Sequence, residues 1–376
     1  MRVLVLADDL TGAGDTVVSF ARSGWLSLLS LSGGWRHEPE EDAVAVTLDS
    51  RRDPRAERVT ARAVGDLDPE LLYVKIDSTV RGRVAEQVRG AVAGRRRSRP
   101  AAYAVLCPAY PAMGRTVEDG HVLVHGAPVH HGAAGEDPVT PVTESDLRVL
   151  VPGAVLVDGE DLTAAIREAG ERGEVVVVDA RDQADLDRIA AAVAEIGPDA
   201  VPVGSAGLAV ALARVWRTSE PSRPSRVEVP ADSRSLVLVS SLHPVAREQV
   251  AELKARAEQL GVDLLVTDPA RIDGAAEQRA RDLGAEAAAA LSGGEGLPAY
   301  GLLVLVGGDG AAQTLLALGA TGIRVVDAPV EGVPLGTLVG GTHDGLPVAT
   351  KAGGFGDPHT LTQLIGAVRG AQGARS

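Results

Sequence analysis

Acidic and hydroxyl side chains crowd together directly after the first apolar run of the chain. In LVLADDLTGAGDT, residues 4–16, the adjacent Asp8 and Asp9 are followed by Thr11 and Gly12. An aspartate at this point is a good helix cap, because its carboxylate accepts hydrogen bonds from the free amides of the first turn. One cap explains only one acid. We expect one aspartate to cap and its neighbour to bind or deprotonate a hydroxyl, and we assign the second role to Asp9, with Asp8 as the alternative.

Two later apolar runs end in similar clusters. VKIDSTVRG, residues 74–82, contributes two cations, an acid and two hydroxyls: Lys75, Asp77, Ser78, Thr79 and Arg81. TLDSRRD, residues 47–53, adds Asp49 and Arg51. Cations bind a carboxylate, while aspartate and serine bind hydroxyls, so these groups suit a small polyhydroxylated anion. For each cluster alone, a turn with an N-cap serine or aspartate is the purely structural alternative.

Glycine-rich turns in the second half of the chain are candidates for phosphate binding. LVGGDGAAQTLLALG, residues 305–319, predicts a strand, a tight turn and a helix, and KAGGFGD, residues 351–357, adds a lysine and three glycines. Glycines let backbone amides approach a phosphate, whose charge the helix N-terminus favours. The first turn lacks the Lys-Ser/Thr ending of a P-loop and is not the GxGxxG of a dinucleotide fold, so by itself it indicates a nucleotide only weakly.

The elements that must position these residues alternate along the chain. Short β-rich runs alternate with Ala-rich helical patterns, which predicts an α/β protein whose sheets are largely parallel and flanked by helices. Functional residues are then expected at the carboxyl ends of strands. The Pro- and Ser-rich segment 218–233 predicts a linker between a first domain, 1–217, and a second, 234–376. Region 108–150 interrupts the alternation and favours an ordered excursion.

Composition excludes several classes of protein. A chain of 376 residues with a net charge of −14 suits two globular domains and repels nucleic acid and acidic membrane surfaces. The basic run Arg95–Arg99 is predicted to be a solvated helix end. A single cysteine and the lack of a signal-peptide pattern or a long apolar stretch indicate a cytoplasmic protein outside the membrane. The clustered histidines do not complete a metal-ligand set, so we predict no protein-held metal: His121, His125, His130 and His131.

The motifs taken together resemble those of one family. In order, they are ADDLTGAGDT, LDSR, KIDSTVRG, PAYPAMGRT, DGHVLVHGAPV, DPVTPVTES, VGSAGLA, VGGDG, GVPLGTLVGG and KAGGFGD. This combination and order resemble the four-carbon acid sugar kinase family over nearly the whole chain. The resemblance implies an ATP-dependent kinase of sugar acids such as threonate or erythronate. It implies two lobes, the first binding the acid sugar and the second the nucleotide, with the active site in the cleft between them.

The resemblance also assigns residues. By it, the substrate would be held by Asp9, Arg51, Lys75, Ile76, Asp77 and Ser78, to which the strand-end clusters add Asp8 and Arg81. ATP would be held by Ser241, Gly307, Gly308, Asp309, Gly310 and Gly353. We expect Arg51 and Lys75 to bind the substrate carboxylate, and Asp9 or Asp77 to orient the hydroxyl and accept its proton. Mg²⁺ is expected to bridge the phosphates of ATP.

Two segments depart from the family pattern. Ser240-Ser241-Leu242-His243 stands where the family usually has Gly-Ser-x-Ser, and Gly310 stands where a Gly-Gly-Glu/Asp-Thr turn has threonine. A non-catalytic sugar-acid-binding protein with a degenerate nucleotide lobe is therefore one alternative. A kinase of another small polyol is a second. A homodimer is compatible with each of these hypotheses.

Overall fold

The structure is a computed structural model that describes residues 2–31, 41–137, 139–217, 227–230, 232–268, 276–293 and 299–373. Its strands are β1 (Val3–Ala7), β2 (Ser27–Ser30), β3 (Ala43–Thr47), β4 (Leu71–Lys75), β5 (Tyr103–Cys107), β6 (Arg115–Glu118), β7 (His121–Val124), β8 (Ala127–Pro128), β9 (Ala154–Val157), β10 (Val175–Val178), β11 (Ala200–Gly204), β12 (Arg234–Val239), β13 (Val262–Val266), β14 (Tyr300–Val306), β15 (Gly322–Val330), β16 (Val333–Val339) and β17 (Pro347–Lys351). Its helices are α1 (Leu10–Arg22), α2 (Ala56–Leu67), α3 (Val84–Arg95), α4 (Leu147–Leu150), α5 (Leu162–Glu171), α6 (Gln183–Ile196), α7 (Ala206–Val215), α8 (Pro244–Leu260), α9 (Ala276–Ser292), α10 (Gly308–Ala317) and α11 (Thr360–Gly373).

The first of two units comprises the described residues within Met1–Leu26 and Trp35–Ser222. Its main sheet has the strand order β3-β1-β4-β11-β5-β10-β9, and each neighbouring pair is parallel. The strands are short apolar runs, most of them buried throughout, as a parallel sheet covered by helices requires. The predicted α/β class and parallel sheet are confirmed. Parallel pairing brings the carboxyl ends of β1, β3 and β4 to one edge of this sheet.

Helix α1 is fixed firmly against the rest of the first unit. Its apolar face is buried, and beyond its end the indole Nε1 of Trp25 donates a hydrogen bond of 2.9 Å to the carbonyl of Ala213 in the last turn of α7. The rings of Phe20 and Trp25 meet edge to face with their centroids 5.8 Å apart. These contacts hold the helix whose first turn follows Asp8 and Asp9.

The region that interrupts the alternation forms a small sheet of its own. Strands β6, β7 and β8 pair antiparallel. Val117 in β6 exchanges backbone hydrogen bonds of 2.9 and 3.0 Å with Ala180, which follows β10. The predicted ordered excursion is therefore a three-stranded sheet attached to the first unit, and it carries Arg115 at the start of β6.

The second unit comprises the described residues within Ser27–Gly34 and Arg223–Ser376. Its strand order is β13-β12-β14-β17-β16-β15-β2; the pairs among β13, β12, β14 and β17 are parallel, and the remaining pairs are antiparallel. The core buries β12 and β14 against α8 and α11. Strand β2 was not predicted, because SLLS is too short to show a pattern, yet it pairs with β15 through Leu29 and Ile323.

Most of the predicted linker 218–233 lies outside the described residues. The basic run was predicted to be solvated, and for Arg95 this prediction is wrong. Arg95 is 1% exposed and donates hydrogen bonds to the backbone carbonyls of Pro69, Glu70 and Pro198. In the described part of the chain, every helix is too short or too polar to cross a membrane.

Candidate active site

Asp8 and Arg51 form the buried base of a cluster in the first unit. Asp8, directly after β1, is 2% exposed and accepts hydrogen bonds from Arg51 Nε at 2.6 Å and Nη2 at 3.2 Å. Burial raises the pKa of Asp8, and the Arg51 charge offsets only part of that rise. Burial lowers the pKa of Arg51, but the charges of Asp8 and Asp9 outweigh it and raise the pKa, so the guanidinium stays charged.

Asp9, not its neighbour, caps the first helix. Its Oδ1 accepts a hydrogen bond of 2.6 Å from the amide of Gly12, and its Oδ2 lies 2.8 Å from Arg51 Nη2. The expectation that Asp8 is the cap is therefore wrong. The Asp9 side chain is also the more accessible of the two, at 27% exposed against 1% for Asp8. Asp9 therefore combines capping with access to a ligand.

Gly12 leaves room beside Asp9 for the end of Lys75. A Cβ on Gly12 would lie 2.7 Å from Asp9 Oδ1 and 2.9 Å from Lys75 Nζ. Lys75 closes β4 and is 7% exposed. The ends of β1 and β4 thus bring an ammonium group and a carboxylate together at one edge of the sheet, as the sequence analysis predicted.

Asp77 is held by the turn that follows β4. It accepts hydrogen bonds from the amide of Thr79 at 3.1 Å, from the Thr79 hydroxyl, and from Arg81 Nε and Nη2, both at 3.0 Å. Burial alone would raise the pKa of Asp77, but the hydrogen bonds and charge of Arg81, together with the Arg51 charge, hold it well below its usual range. Arg51 Nη2 lies 3.8 Å from Asp77, so the guanidinium contacts all three aspartates.

The backbone of this turn is strained where it meets Arg51. Val80 has φ +55°, which a β-branched residue rarely adopts. Gly82 has φ +92°, and a Cβ there would lie 2.8 Å from Arg51 Cγ and 3.1 Å from the Arg51 carbonyl. Glycine at position 82 is therefore required for this close approach. Strain of this kind persists where the surrounding structure enforces it, and it gathers at ligand sites.

In the second unit, the glycine turns lie at the carboxyl ends of three adjacent parallel strands. Strands β12, β14 and β17 are neighbours, and each is followed by residues predicted to bind nucleotide. Gly307, with φ +103°, precedes α10, and its amide donates a hydrogen bond of 2.9 Å to the Lys351 carbonyl. A Cβ on Gly353 would lie 1.9 Å from Ser241 Oγ. The structure brings these predicted residues together: Ser241, Gly307, Gly308, Asp309, Gly310 and Gly353.

Ser240 and His243, where the sequence departs from the family pattern, have local roles. Ser240 Oγ accepts a hydrogen bond of 3.2 Å from the Gly310 amide and donates one of 3.2 Å to the Val306 carbonyl. His243 caps α8, since its Nδ1 accepts a hydrogen bond of 3.2 Å from the Val245 amide. The sequence analysis assigned no role to Ser240, because its contacts lie far away along the chain.

Lys351 is a buried cation at the end of β17, directly before the turn that contains Gly353. It is 1% exposed, and its Nζ donates a hydrogen bond of 2.7 Å to the Ala352 carbonyl. Burial lowers the pKa of Lys351 to about 8. The backbone amides of Gly308 and Asp309 at the start of α10 form an arrangement suited to phosphate groups, and Lys351 ends the neighbouring strand β17.

Comparisons with known proteins match two separate parts of the chain. A family model described as a sugar-binding N-terminal domain matches residues 3–212, and one described as a nucleotide-binding C-terminal domain matches residues 295–361. The chain is 39% identical to the D-threonate kinase of Bordetella bronchiseptica, with 97% of each chain covered. It is 31% identical to the D-threonate kinase of Salmonella typhimurium, with 97% of this chain and 98% of that relative covered.

A solved structure is similar as well. It is a domain of unknown function from Bordetella bronchiseptica, crystallised with bound citrate as a domain-swapped dimer. It is 37% identical, covers 98% of both chains and has a TM-score of 0.53. A sugar-binding part and a nucleotide-binding part in one chain are typical of kinases that act on small sugar-like molecules, and the two curated relatives are named as such kinases. The chain belongs to the four-carbon acid sugar kinase family, as the sequence analysis expected.

Proposed function

We propose that the protein transfers the γ-phosphoryl group of ATP to a hydroxyl of a four-carbon sugar acid, with D-threonate as the first candidate. The observation that carries this proposal is the cluster of carboxylates, cations and hydroxyls at the ends of β1, β3 and β4. The D-threonate kinases it resembles support the substrate class. In this proposal, residues 1–217 bind the acid sugar and residues 234–376 bind the nucleotide.

Asp9 is the residue that orients the acceptor hydroxyl and takes its proton. Asp77 is a poor base, because its hydrogen bonds with Arg81 and Thr79 hold its pKa well below the usual range. Asp8 has a raised pKa, but its side chain is only 1% exposed. Asp9 is the accessible carboxylate, and Arg51 fixes its orientation. Asp77 then serves to hold Arg51 and Arg81 in place.

The phosphate donor is held by the glycine turn. Phosphoryl transfer needs positioning and charge neutralisation more than covalent chemistry. The amides at the start of α10 and the Lys351 charge supply both. Among the described residues, no group of three side chains could hold a metal by itself. Mg²⁺ carried by a nucleotide needs only one or two carboxylates, and the exposed Asp309 in the first turn of α10 fits that role. When bound, Mg²⁺ neutralises charge on the phosphates.

An ATP-consumption screen tests the proposal. The purified protein is assayed with D-threonate, D-erythronate and their 2-keto and 3-keto derivatives, with the uncharged polyols as comparison. We expect turnover with at least one acid. Calorimetric binding of an acid without binding of ATP would favour the non-catalytic sugar-acid-binding protein instead. Turnover of polyols alone would favour the other kinase class.

The variant Asp9→Asn tests the assigned base. Asparagine caps a helix as well as aspartate does, so the free energy of unfolding should change by no more than about 1 kcal/mol. Loss of the base should lower kcat by about 10²- to 10⁴-fold. Asp182→Asn is the matched control, because Asp182 caps α6 in the same way, through the Asp185 amide. Near wild-type kcat in Asp9→Asn would remove Asp9 from the mechanism.

A further inference from the structure

The arginines of the first-unit cluster differ in how much of their charge is already neutralised. Arg51 is paired with Asp8 and Asp9, and Arg81 with Asp77 and, at 3.2 Å, with Asp137. A guanidinium bound on both sides by carboxylates has little charge left to attract another. Arg51, which the sequence analysis assigned to the substrate carboxylate, is therefore poorly placed for that task.

Arg115 is different. Its Nη1 donates a hydrogen bond to the hydroxyl of Ser78, and it forms no ion pair with any residue that the structure describes. Its Nε is buried and has no hydrogen-bond partner among those residues. Burial lowers the pKa of Arg115, which the nearby charge of Asp77 only partly offsets. Guanidinium groups stay protonated in proteins, so Arg115 remains a cation that forms no direct ion pair with the described residues.

The backbone around Arg115 is well fixed. The Arg115 amide donates a hydrogen bond of 3.2 Å to the Tyr110 carbonyl, and the Tyr110 amide donates one of 2.8 Å to the Arg115 carbonyl. The preceding Gly114 has φ +66°, and its carbonyl accepts a hydrogen bond of 2.7 Å from the His125 amide. This turn presents Arg115 to Ser78, in the segment that follows β4, so the small sheet contributes to the cluster.

We propose that Arg115, together with Ser78, binds the carboxylate of the acid sugar and thereby makes the protein select acids over uncharged polyols. This inference rests on the proposed function. The planar guanidinium fork matches a carboxylate with two parallel hydrogen bonds. Ser78 accepts its hydrogen bond from Arg115, so its own proton is free to be donated to the same carboxylate or to a neighbouring hydroxyl.

Arg115→Met, Arg115→Lys and the control Arg83→Met test this role. Arg83 pairs with Glu86 at the start of α3, and its side chain is 45% exposed. With ATP saturating, we expect Arg115→Met to raise KM for D-threonate about 10- to 100-fold at nearly unchanged kcat, the loss expected for a charge-assisted hydrogen bond. The kcat/KM ratio of D-threonate over D-threitol should fall by the same factor. Arg115→Lys should restore part of it, and Arg83→Met should match the wild type.

A second measurement keeps the test independent of folding. An unpaired, half-buried charge does not stabilise a protein, so Arg115→Met should melt at or above the wild-type temperature, and D-threonate at a fixed concentration should raise its melting temperature less than that of the wild type. Wild-type discrimination between acid and polyol in Arg115→Met would overturn this inference and leave the proposed function standing. A wild-type protein that neither binds nor phosphorylates any four-carbon acid would overturn both. Loss of folding in Arg115→Met alone would also contradict the inference.

Discussion

The packing of Ser240 against Gly310 gives a prediction that can be worked out in detail. A Cβ on Gly310 would lie 2.3 Å from Ser240 Cβ and 2.5 Å from Ser240 Oγ. The threonine of the family pattern therefore does not fit at position 310 while Ser240 is present. Conversely, a glycine at position 240, as in that pattern, would leave the space open. The departures from the family pattern at positions 240 and 310 thus compensate each other.

The magnitudes follow from these contacts. Gly310→Thr overpacks the turn and should lower the free energy of unfolding by about 1–3 kcal/mol. Ser240→Gly loses the hydrogen bonds to Gly310 and Val306, each of about 0.5–1.5 kcal/mol, but creates no clash. In the double variant the added threonine fills the space left by the serine. We expect it to be no less stable than Ser240→Gly alone, which gives a coupling energy of about 1–3 kcal/mol.

The assay is a double-mutant cycle by thermal unfolding, with KM for ATP measured on the same four proteins. KM should rise in Gly310→Thr and return toward the wild-type value in the double variant. Gly366→Thr is the matched control, because Gly366 lies in α11 and a Cβ there would meet nothing within 4 Å. Additive effects in the cycle, or a Gly310→Thr variant as stable as the wild type, would show that Ser240 and Gly310 are not coupled in this way.

Two further predictions concern Gly12 and Lys351. Gly12→Ala places a methyl group against Asp9 and Lys75, so kcat/KM for the acid should fall at least about 10-fold. The melting temperature should change little, because alanine favours the helix by about 1 kcal/mol over glycine. Unchanged kinetics would contradict this prediction. Burial lowers the pKa of Lys351 from 10.5 to about 8. Between these two pH values, the unfolded chain therefore holds a proton on Lys351 that the folded protein has lost. The free energy of unfolding, measured in urea from pH 7.5 to 10, should therefore rise with pH in the wild type relative to Lys351→Met, and parallel pH profiles would be the contrary result.

The clusters at the strand ends could be predicted because their geometry follows from a general rule. Once β1, β3 and β4 are taken as parallel neighbours, their carboxyl ends must share an edge. The choice between Asp8 and Asp9 as the cap could not be predicted, because it depends on a shift of one residue in where α1 begins. Nor do the residue types show that Arg51 would be shared among three aspartates.

Arg115 and Ser240 lay beyond sequence reasoning for different reasons. Arg115 sits in a region without helical or strand periodicity, where the only signal was the run of turn residues in PAYPAMGRT. Ser240 acts on Gly310, a contact between two strand ends that are far apart along the chain. In the sequence, Ser240 and Gly310 are two separate departures from the family pattern. Only the three-dimensional structure shows that their shapes are complementary.

Strand β2 comes early in the chain, yet it completes the sheet of the second unit by pairing with β15. During synthesis, residues 27–30 leave the ribosome long before β15, with which they pair. A gene fragment encoding only residues 234–376 would therefore produce a sheet whose last strand has an open edge, and such edges recruit strands from other molecules. A synthetic peptide carrying residues 27–31 should keep that fragment from associating with itself. Isolated production of residues 234–376 thus calls for grafting this short segment onto them.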